Sequence, residues 1–129
     1  MNDLGEQQPV KQRIAAATPR GVELVAALQE KIAWLNLPGE PLTIPPFAAA
    51  RFTLEHDLYN GEQSLRAAFH SSQYYCNGFL LFHSDGSCFA EYHVMQLHPA
   101  RPQLFIEAVE AWVRDGEIRT DVRLAEVPQ

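Results

Sequence analysis

The sequence has few of the features that mark secreted and membrane proteins. Only two cysteines occur among its 129 residues, Cys76 and Cys88, and disulfide-rich secreted domains need more. In the hairpin register predicted below, these two side chains lie on opposite faces of the sheet and too far apart to bond, so we expect two free thiols. No signal peptide and no membrane-spanning apolar run is present. We therefore expect a cytoplasmic protein that does not bind a membrane.

Basic residues are scarce as well. The chain holds 10 Lys and Arg against 16 Asp and Glu, which gives a net charge of −6 with His neutral. No cluster of Lys and Arg interrupts this acidic balance, so nucleic acid is not an expected partner. The length and the 47% hydrophobic content are those of one globular domain. We place that domain at residues 18–129, after an N-terminal segment at residues 1–17 for which we expect either flexibility or the first turns of a helix; flexibility is the favoured interpretation.

The sequence contains none of the common motifs that are typical of catalytic or cofactor-binding sites. There is no Cys-x-x-Cys pair, no His-Glu-x-x-His, no phosphate-binding glycine loop and no Gly-x-Ser-x-Gly elbow. The five histidines match no zinc spacing: His56, His70, His83, His93 and His98. We therefore expect no metal, no cofactor and no catalytic residue, and an enzyme is the less favoured class.

The strongest positive signal is a hairpin over Gly78–Met95, where two apolar runs flank Ser84-Asp85-Gly86-Ser87. If Asp85-Gly86 is a two-residue turn, His83 lies opposite Cys88 and Phe82 opposite Phe89. A longer turn with a glycine bulge would shift this pairing by one residue. The two-residue register gives two faces that are both apolar enough to need cover. One face carries Phe79, Leu81, His83, Cys88, Ala90, Tyr92 and Val94; the other carries Leu80, Phe82, Ser84, Phe89, Glu91, His93 and Met95.

The patterns on either side of the hairpin predict helices and strands. Thr18-Pro19 is typical of a helix start, and an amphipathic stripe predicts about 17 helical residues, ending at Asn36. A proline-rich connector follows at 38–48, and alternation over 51–59 predicts a strand. Residues 62–71 fit either a helix or, through Asn60-Gly61, the second strand of a hairpin, and their composition slightly favours the helix.

The C-terminal part predicts a second helix and a last strand. An apolar stripe, closed by Gly116, predicts the helix: Leu104, Phe105, Ala108, Val109, Trp112 and Val113. Residues 118–124 alternate as a strand whose charged face would protect a sheet edge. The sum is an α+β domain, with an antiparallel sheet of four to five strands and two principal amphipathic helices packed on it.

Two clusters in the hairpin are candidates for chemistry or binding. His83 and Cys88 would face each other beside the turn, where an imidazole can activate a thiol, although simple packing explains the pair better. Glu91 and His93 point the same way from the less apolar face and could form an acid–base pair.

The favoured function is a small protein-binding, adaptor or regulatory domain that forms a homodimer through an uncovered sheet face. The alternative is a small-molecule-binding protein or small enzyme with a pocket over the sheet. The polar groups and walls of that pocket would be Glu91, His93, Phe82, Phe89 and Met95.

Overall fold

A computed structural model describes residues 4–56, 61–71 and 75–128. It contains one long helix, α1 (Leu4–Trp34), a short 3₁₀ turn at Phe47–Ala49 and a single antiparallel sheet. The strands follow one another across the sheet in chain order. They are β1 (Arg51–His56), β2 (Gln63–His70), β3 (Cys76–Phe82), β4 (Cys88–Leu97), β5 (Leu104–Arg114) and β6 (Glu117–Glu126). Among the described residues, no helix is both long and apolar enough to cross a membrane.

The core lies between α1 and one face of the sheet, which we call the helix face. The helix contributes a buried stripe at four-residue spacing, the period of one helical face: Leu24, Leu28 and Ile32, which Leu35 continues directly after the last helical residue. The sheet contributes side chains from its central strands, which include Leu65, Leu80, Phe82, Ala90, Tyr92, Ile106 and Val109. The opposite face, which we call the open face, is crossed by no described helix or strand.

The connector between α1 and β1 completes the core beside the first strand. Phe47 is buried and stacks edge-on against Phe52 and Phe82, with ring centroids 5.2 and 5.9 Å away. A Cβ at Gly21 would lie 2.5 Å from the Phe47 ring, so only glycine lets the helix come this close. Gln29 ties the connector to the helix, because it donates to the Leu42 carbonyl and accepts from the Ile44 amide.

The fold class predicted from the sequence is wrong in its count of elements. Within the part of the chain that the structure describes, the sheet has six strands rather than four to five, and there is one principal helix rather than two. The segment predicted as the second helix is β5, and the segment at 62–71, where helix was favoured, is β2. Both strands lie inside the sheet with buried residues on both faces, which hides the alternation expected of a strand. In β5 the register also shifts between Ile106 and Ala108, which changes the phase of the pattern.

The predicted first helix is confirmed, but its predicted start is wrong. The helix begins at Leu4, so Pro19 lies inside it rather than at its first position. A proline inside a helix leaves a carbonyl one turn earlier without its usual amide donor. The hydroxyl of Thr18 donates to the Ile14 carbonyl at 2.7 Å, an extra bond just before the proline. At the other end, Asn36 takes a left-handed φ of 54° and the helix stops as predicted.

The predicted hairpin is confirmed, but its register is wrong by one residue. The His83 amide donates to the Ser87 carbonyl, and the Gly86 amide donates to the His83 carbonyl. The turn is therefore a three-residue loop, the longer alternative considered above. Phe82 then lies opposite Cys88 and Leu81 opposite Phe89. Consequently β3 presents Leu80 and Phe82 to the helix face, and Phe79 and Leu81 to the open face.

Strands β5 and β6 form the longest hairpin, and β6 is an edge of the sheet. Arg114 pairs with Glu117 around a two-residue turn in which Asp115 and Gly116 both have positive φ, 54° and 78°. Two positive φ values define a type I′ turn. The predicted strand at 118–124 is therefore confirmed within β6.

Candidate functional site

An apolar strip crosses the middle of the open face. It consists of Phe79 and Leu81 on β3, Phe89 on β4 and Trp112 on β5, which the register places side by side. The rings of Phe79 and Phe89 are 6.3 Å apart, and the Arg66 guanidinium lies 5.2 Å from the Phe79 ring. All four strip residues are half-buried. Aromatic cross-strand pairs of this kind stabilise a sheet while leaving their outer surface available for contact.

An ionic cluster borders the strip on its β5–β6 side. Glu91, only 9% exposed, lies at its centre, where a buried carboxylate requires charged or hydrogen-bonding partners. The Arg123 guanidinium donates to Glu91 at 3.3 Å and to Glu107 at 3.0 Å, and lies 4.0 Å from Glu110. The register brings these together, because Glu91 pairs with Glu110 and Arg123 pairs with Ala108, beside Glu107.

Arg123 holds the carboxylates of this cluster together. The pKa of its guanidinium is raised, mainly because Glu91 accepts a hydrogen bond from it; partial desolvation opposes this, and the Glu107 hydrogen bond adds to it. Three carboxylates share this one guanidinium, so the cluster keeps a net negative charge.

His93 is held between two acceptors. Its Nε2 lies 2.9 Å from a Glu91 oxygen and its Nδ1 lies 3.0 Å from the Cys76 carbonyl oxygen. A neutral ring can donate to only one of these, whereas the imidazolium donates to both. Both nitrogens are thus engaged inside the protein, and neither is directed at a substrate position. The pair fixes the shape and charge of the open face better than it serves as a general base.

The structure divides the pocket residues predicted from the sequence. Glu91, His93 and Phe89 lie together on the open face. Phe82 lies on the helix face, where it is 9% exposed and part of the core. Met95 sits where the β4–β5 register shifts, with a left-handed φ of 55° and 53% exposure, away from the strip.

Four residues of the site are not among the pocket residues predicted from the sequence. The two-residue turn places Phe79 and Leu81 on the opposite face, and the apolar stripe at 104–113 assigns Trp112 to a helix. Arg123 belongs to the predicted charged face of the last strand. Its partners lie on β4 and β5, and the sequence patterns do not predict how these strands pair with β6. The signal that could have found Trp112 is Asp115-Gly116, the second Asp-Gly dipeptide in the chain.

The predicted facing of His83 and Cys88 is not observed. The His83 Nδ1 lies 2.9 Å from the Ser64 hydroxyl, while Cys88 lies opposite Phe82 and is buried in the core. Both still border one cleft of about 220 Å³ near the turn, together with Arg13 and Arg20. Burial raises the pKa of the Cys88 thiol, although the Arg20 charge acts in the opposite direction. A raised thiol pKa disfavours the nucleophilic thiolate, which supports the packing interpretation.

Three further cavities lined by the described residues lie at the margin of the helix rather than over the ionic cluster. One cleft, of about 380 Å³, separates the end of α1 from β6 and is lined by residues that include Lys31, Trp34, Ile118 and Thr120. Cys76 and Cys88 are both free thiols. Among the residues that the structure describes, no group of three or more His, Cys, Asp or Glu side chains is arranged to hold a metal ion.

The sequence matches no protein-family model, no curated protein and no solved structure. The functional argument therefore rests on the geometry of the two faces and of the sheet edges.

Proposed function

We propose that this chain is a protein-binding domain, of the adaptor or regulatory kind, that recognises its partner through the open face of its sheet. The observation that carries this proposal is the apolar strip formed by Phe79, Leu81, Phe89 and Trp112. No described element covers the strip, and contiguous apolar surface of this kind is typical of protein interfaces. Aromatic residues at the centre of such a patch contribute most of the binding energy in protein complexes.

The ionic cluster gives this face a charge preference on one side of the strip. Its three carboxylates, Glu91, Glu107 and Glu110, outnumber the single guanidinium of Arg123. A complementary partner has apolar side chains at the centre of its contact and Lys or Arg where it meets the cluster. The whole chain, with a net charge of −6, reinforces attraction to a basic partner.

The second candidate is a small-molecule-binding protein. The observation that favours it is the nearly buried Glu91 carboxylate, held by Arg123 and His93 on the face that carries the aromatic strip. A small polar and aromatic ligand could use such a combination. It ranks second because both nitrogens of His93 and the shared oxygen of Glu91 are already bonded within the protein.

The proposal is tested by site-specific photocrosslinking in the source cells. A benzoylphenylalanine replaces Phe89 in the strip, and a matched control carries it at Val22, which is 55% exposed on the helix. We expect one defined protein to crosslink at position 89 and not at position 22. Adding Leu81→Lys, which puts a charge into the strip, should abolish the adduct while circular dichroism shows an intact fold.

Three outcomes would contradict the proposal. Equal crosslinking at both positions would show that contact is nonspecific. An adduct made only of two copies of this chain would make the open face a dimer interface rather than a partner-binding surface. Native mass spectrometry that finds the purified protein with a small-molecule adduct, lost in the Glu91→Ala variant, would favour the second candidate.

A further inference from the structure

We propose that two copies of this chain pair through the outer edges of their β6 strands, antiparallel, about a two-fold axis at Thr120. The two six-stranded sheets then join into one continuous sheet. The open faces of both copies lie on the same side, because the axis is perpendicular to the sheet. Of the ionic cluster, this pairing uses only Arg123, and it does not use the strip or Glu91. Its test variants lie outside both the strip and the cluster, so it stands or fails separately from the proposed function.

The outer edge of β6 has the hydrogen-bonding groups that this pairing needs. Residues that flank a two-residue hairpin turn form a hydrogen-bonded pair, so Glu117 and every second residue after it direct their backbone groups to β5. Further along, the Val127 amide donates to the Gln103 carbonyl, which fits the same alternation. The even-numbered residues Ile118, Thr120 and Val122 therefore direct their amides and carbonyls outward.

The side chain of Asp121 indicates that one of these outward amides has no strand partner. The Val122 amide donates to the Asp121 carboxylate beside it, at 2.8 Å. No described strand pairs with β6 on that side. Pairing with a second copy gives the Val122 amide a backbone acceptor and frees the Asp121 carboxylate for a cation.

The charges on β6 are self-complementary about Thr120. On the open face the strand reads Glu117, Arg119, Asp121 and Arg123 at alternate positions. An axis at Thr120 places Arg119 opposite Asp121 of the second copy, and Glu117 opposite Arg123 of the second copy. Each of these pairs occurs twice, and every charged residue on this stretch of the edge faces an opposite charge.

Neighbouring registers lose this complementarity. An axis at Arg119 or at Asp121 sets that residue against its own copy, so that like charges meet. An axis at Ile118 places Asp121 opposite Asp115 of the turn. An axis at Val122 places Ile118 opposite Glu126. The register is thus selected by the sequence of the strand itself.

The helix face of the edge supports the same pairing. There Ile118 lies opposite Val122 of the second copy, and the two Thr120 side chains meet on the axis. Apolar side chains that would gain cover border this edge: Trp34 is 70% exposed and Leu124 is 40% exposed. The cleft that Trp34, Ile118 and Thr120 line borders this edge.

Charged residues on an edge strand also have a protective role, because they deter pairing with other chains. The two roles depend differently on the sign of the charges along the edge. Protection needs charge of any sign, whereas pairing needs Arg119 and Asp121 to keep opposite signs. Reversal of the charges at Arg119 and Asp121 therefore distinguishes the two interpretations.

The test is sedimentation equilibrium of charge-reversal variants at low salt, where exposed charges are least screened. We expect the wild-type chain to dimerise. Arg119→Asp and Asp121→Arg alone should each weaken the dimer about tenfold or more, because each sets like charges together at two positions. An equimolar mixture of the two single variants should restore dimerisation, since opposite charges then meet at both positions. The double variant should restore it as well.

A disulfide test fixes the register. In the proposed dimer the two Thr120 residues form a hydrogen-bonded pair with Cα atoms about 5.5 Å apart, within disulfide reach. Thr120→Cys should form a covalent dimer under mild oxidation. Thr53→Cys, the same change on the opposite edge strand β1, is the matched control and should not; the wild-type chain controls for Cys76 and Cys88.

The proposal is overturned if the wild-type chain remains a monomer over the whole concentration range. It is equally overturned if either single reversal leaves the dimer unchanged, or if Thr53→Cys crosslinks as readily as Thr120→Cys. Far-ultraviolet circular dichroism must show that each variant keeps its fold. Arg119 is 53% exposed in its side chain, so its replacement leaves the core intact.

Discussion

The chain uses the dipeptide Asp-Gly twice to turn between strands, and the two turns are different. Between β3 and β4, Ser84, Asp85 and Gly86 form a three-residue loop in which only Gly86 has a positive φ, of 91°. Between β5 and β6, Asp115 and Gly116 form a two-residue loop in which both do. The same two residues thus set two different registers, and each register decides which side chains reach the open face.

The side chain two residues after each aspartate explains the difference. In the first turn the Asp85 carboxylate accepts from the Ser87 amide at 2.9 Å and from the Ser87 hydroxyl at 2.6 Å. Such local bonds hold the aspartate in a right-handed conformation. In the second turn the corresponding residue is Glu117, which has no hydroxyl to donate. Asp115 then takes the left-handed conformation that a type I′ turn requires.

The largest expected effect comes from testing the register of the first hairpin. Leu80 is fully buried on the helix face and Leu81 is half-buried on the open face. Leu80→Ala should lower the free energy of unfolding by about 2–5 kcal/mol, because it leaves a cavity in the core. Leu81→Ala should lower it by about 1 kcal/mol. Urea denaturation of both variants measures the difference, and the opposite ranking would mean that Leu81 rather than Leu80 lies in the core.

Much of the fold follows from local patterns in the sequence. Helix α1 and strand β6 each have one solvent-exposed face, so the period of each element is clear in the sequence. Strands β2 and β5 do not show their period. Ala67 and Ala68, on opposite faces of β2, are both buried, and the alternation along β5 changes phase at Glu107. Burial on both faces removes the period that identifies a strand, and local composition then favours helix.

The candidate site was only partly predictable for a related reason. Glu91, His93 and Phe89 share one strand, so alternation alone groups them correctly. Phe79 and Leu81 join them only if the turn between the strands has three residues, and Arg123 only if the β4–β5 and β5–β6 registers are known. The local hydrogen bonds from Ser87 to Asp85 favour the three-residue turn, and no periodic pattern records them.

The next largest effect is expected from replacing the glycine of each turn. A Cβ at Gly86 or at Gly116 would contact nothing within 4 Å, so the cost of a side chain there arises from the backbone alone. Gly86→Ala and Gly116→Ala should each lower the free energy of unfolding by about 1–2 kcal/mol. The loss should be greater at Gly86, whose φ lies further from the left-handed minimum.

Asparagine variants at the same two glycines are the controls for this effect. Asparagine adopts a left-handed conformation more readily than alanine, so Gly86→Asn and Gly116→Asn should recover part of the loss in thermal denaturation. Equal losses for alanine and asparagine would mean that something other than φ limits these turns.

A smaller, pH-dependent effect distinguishes the first turn. The pKa of Asp85 is lowered, chiefly by the Ser87 hydroxyl and then by the Ser87 amide. A lowered folded-state pKa means that ionised Asp85 stabilises the fold above its unfolded pKa, of about 4, and that this contribution is lost as the pH falls through the folded value. Ser87→Ala should therefore lower the melting temperature slightly at neutral pH and less at about pH 3. Ser87→Thr keeps the hydroxyl and should retain the wild-type profile; a Ser87→Ala deficit that is constant with pH would contradict the assignment.

The smallest effect is expected from exchanging each aspartate for asparagine, and its interest lies in the contrast between the turns. At position 115 the carboxylate is not needed for the turn and asparagine suits the left-handed conformation, so Asp115→Asn should change the free energy of unfolding by less than about 0.5 kcal/mol. At position 85 the charge strengthens two hydrogen bonds, so Asp85→Asn should destabilise the protein measurably more at neutral pH. At low pH, where Asp85 is protonated, the two substitutions should converge. Parallel urea titrations at both pH values measure this convergence, which follows only if the carboxylate of the first turn, and not that of the second, selects the loop and therefore the register of the strip.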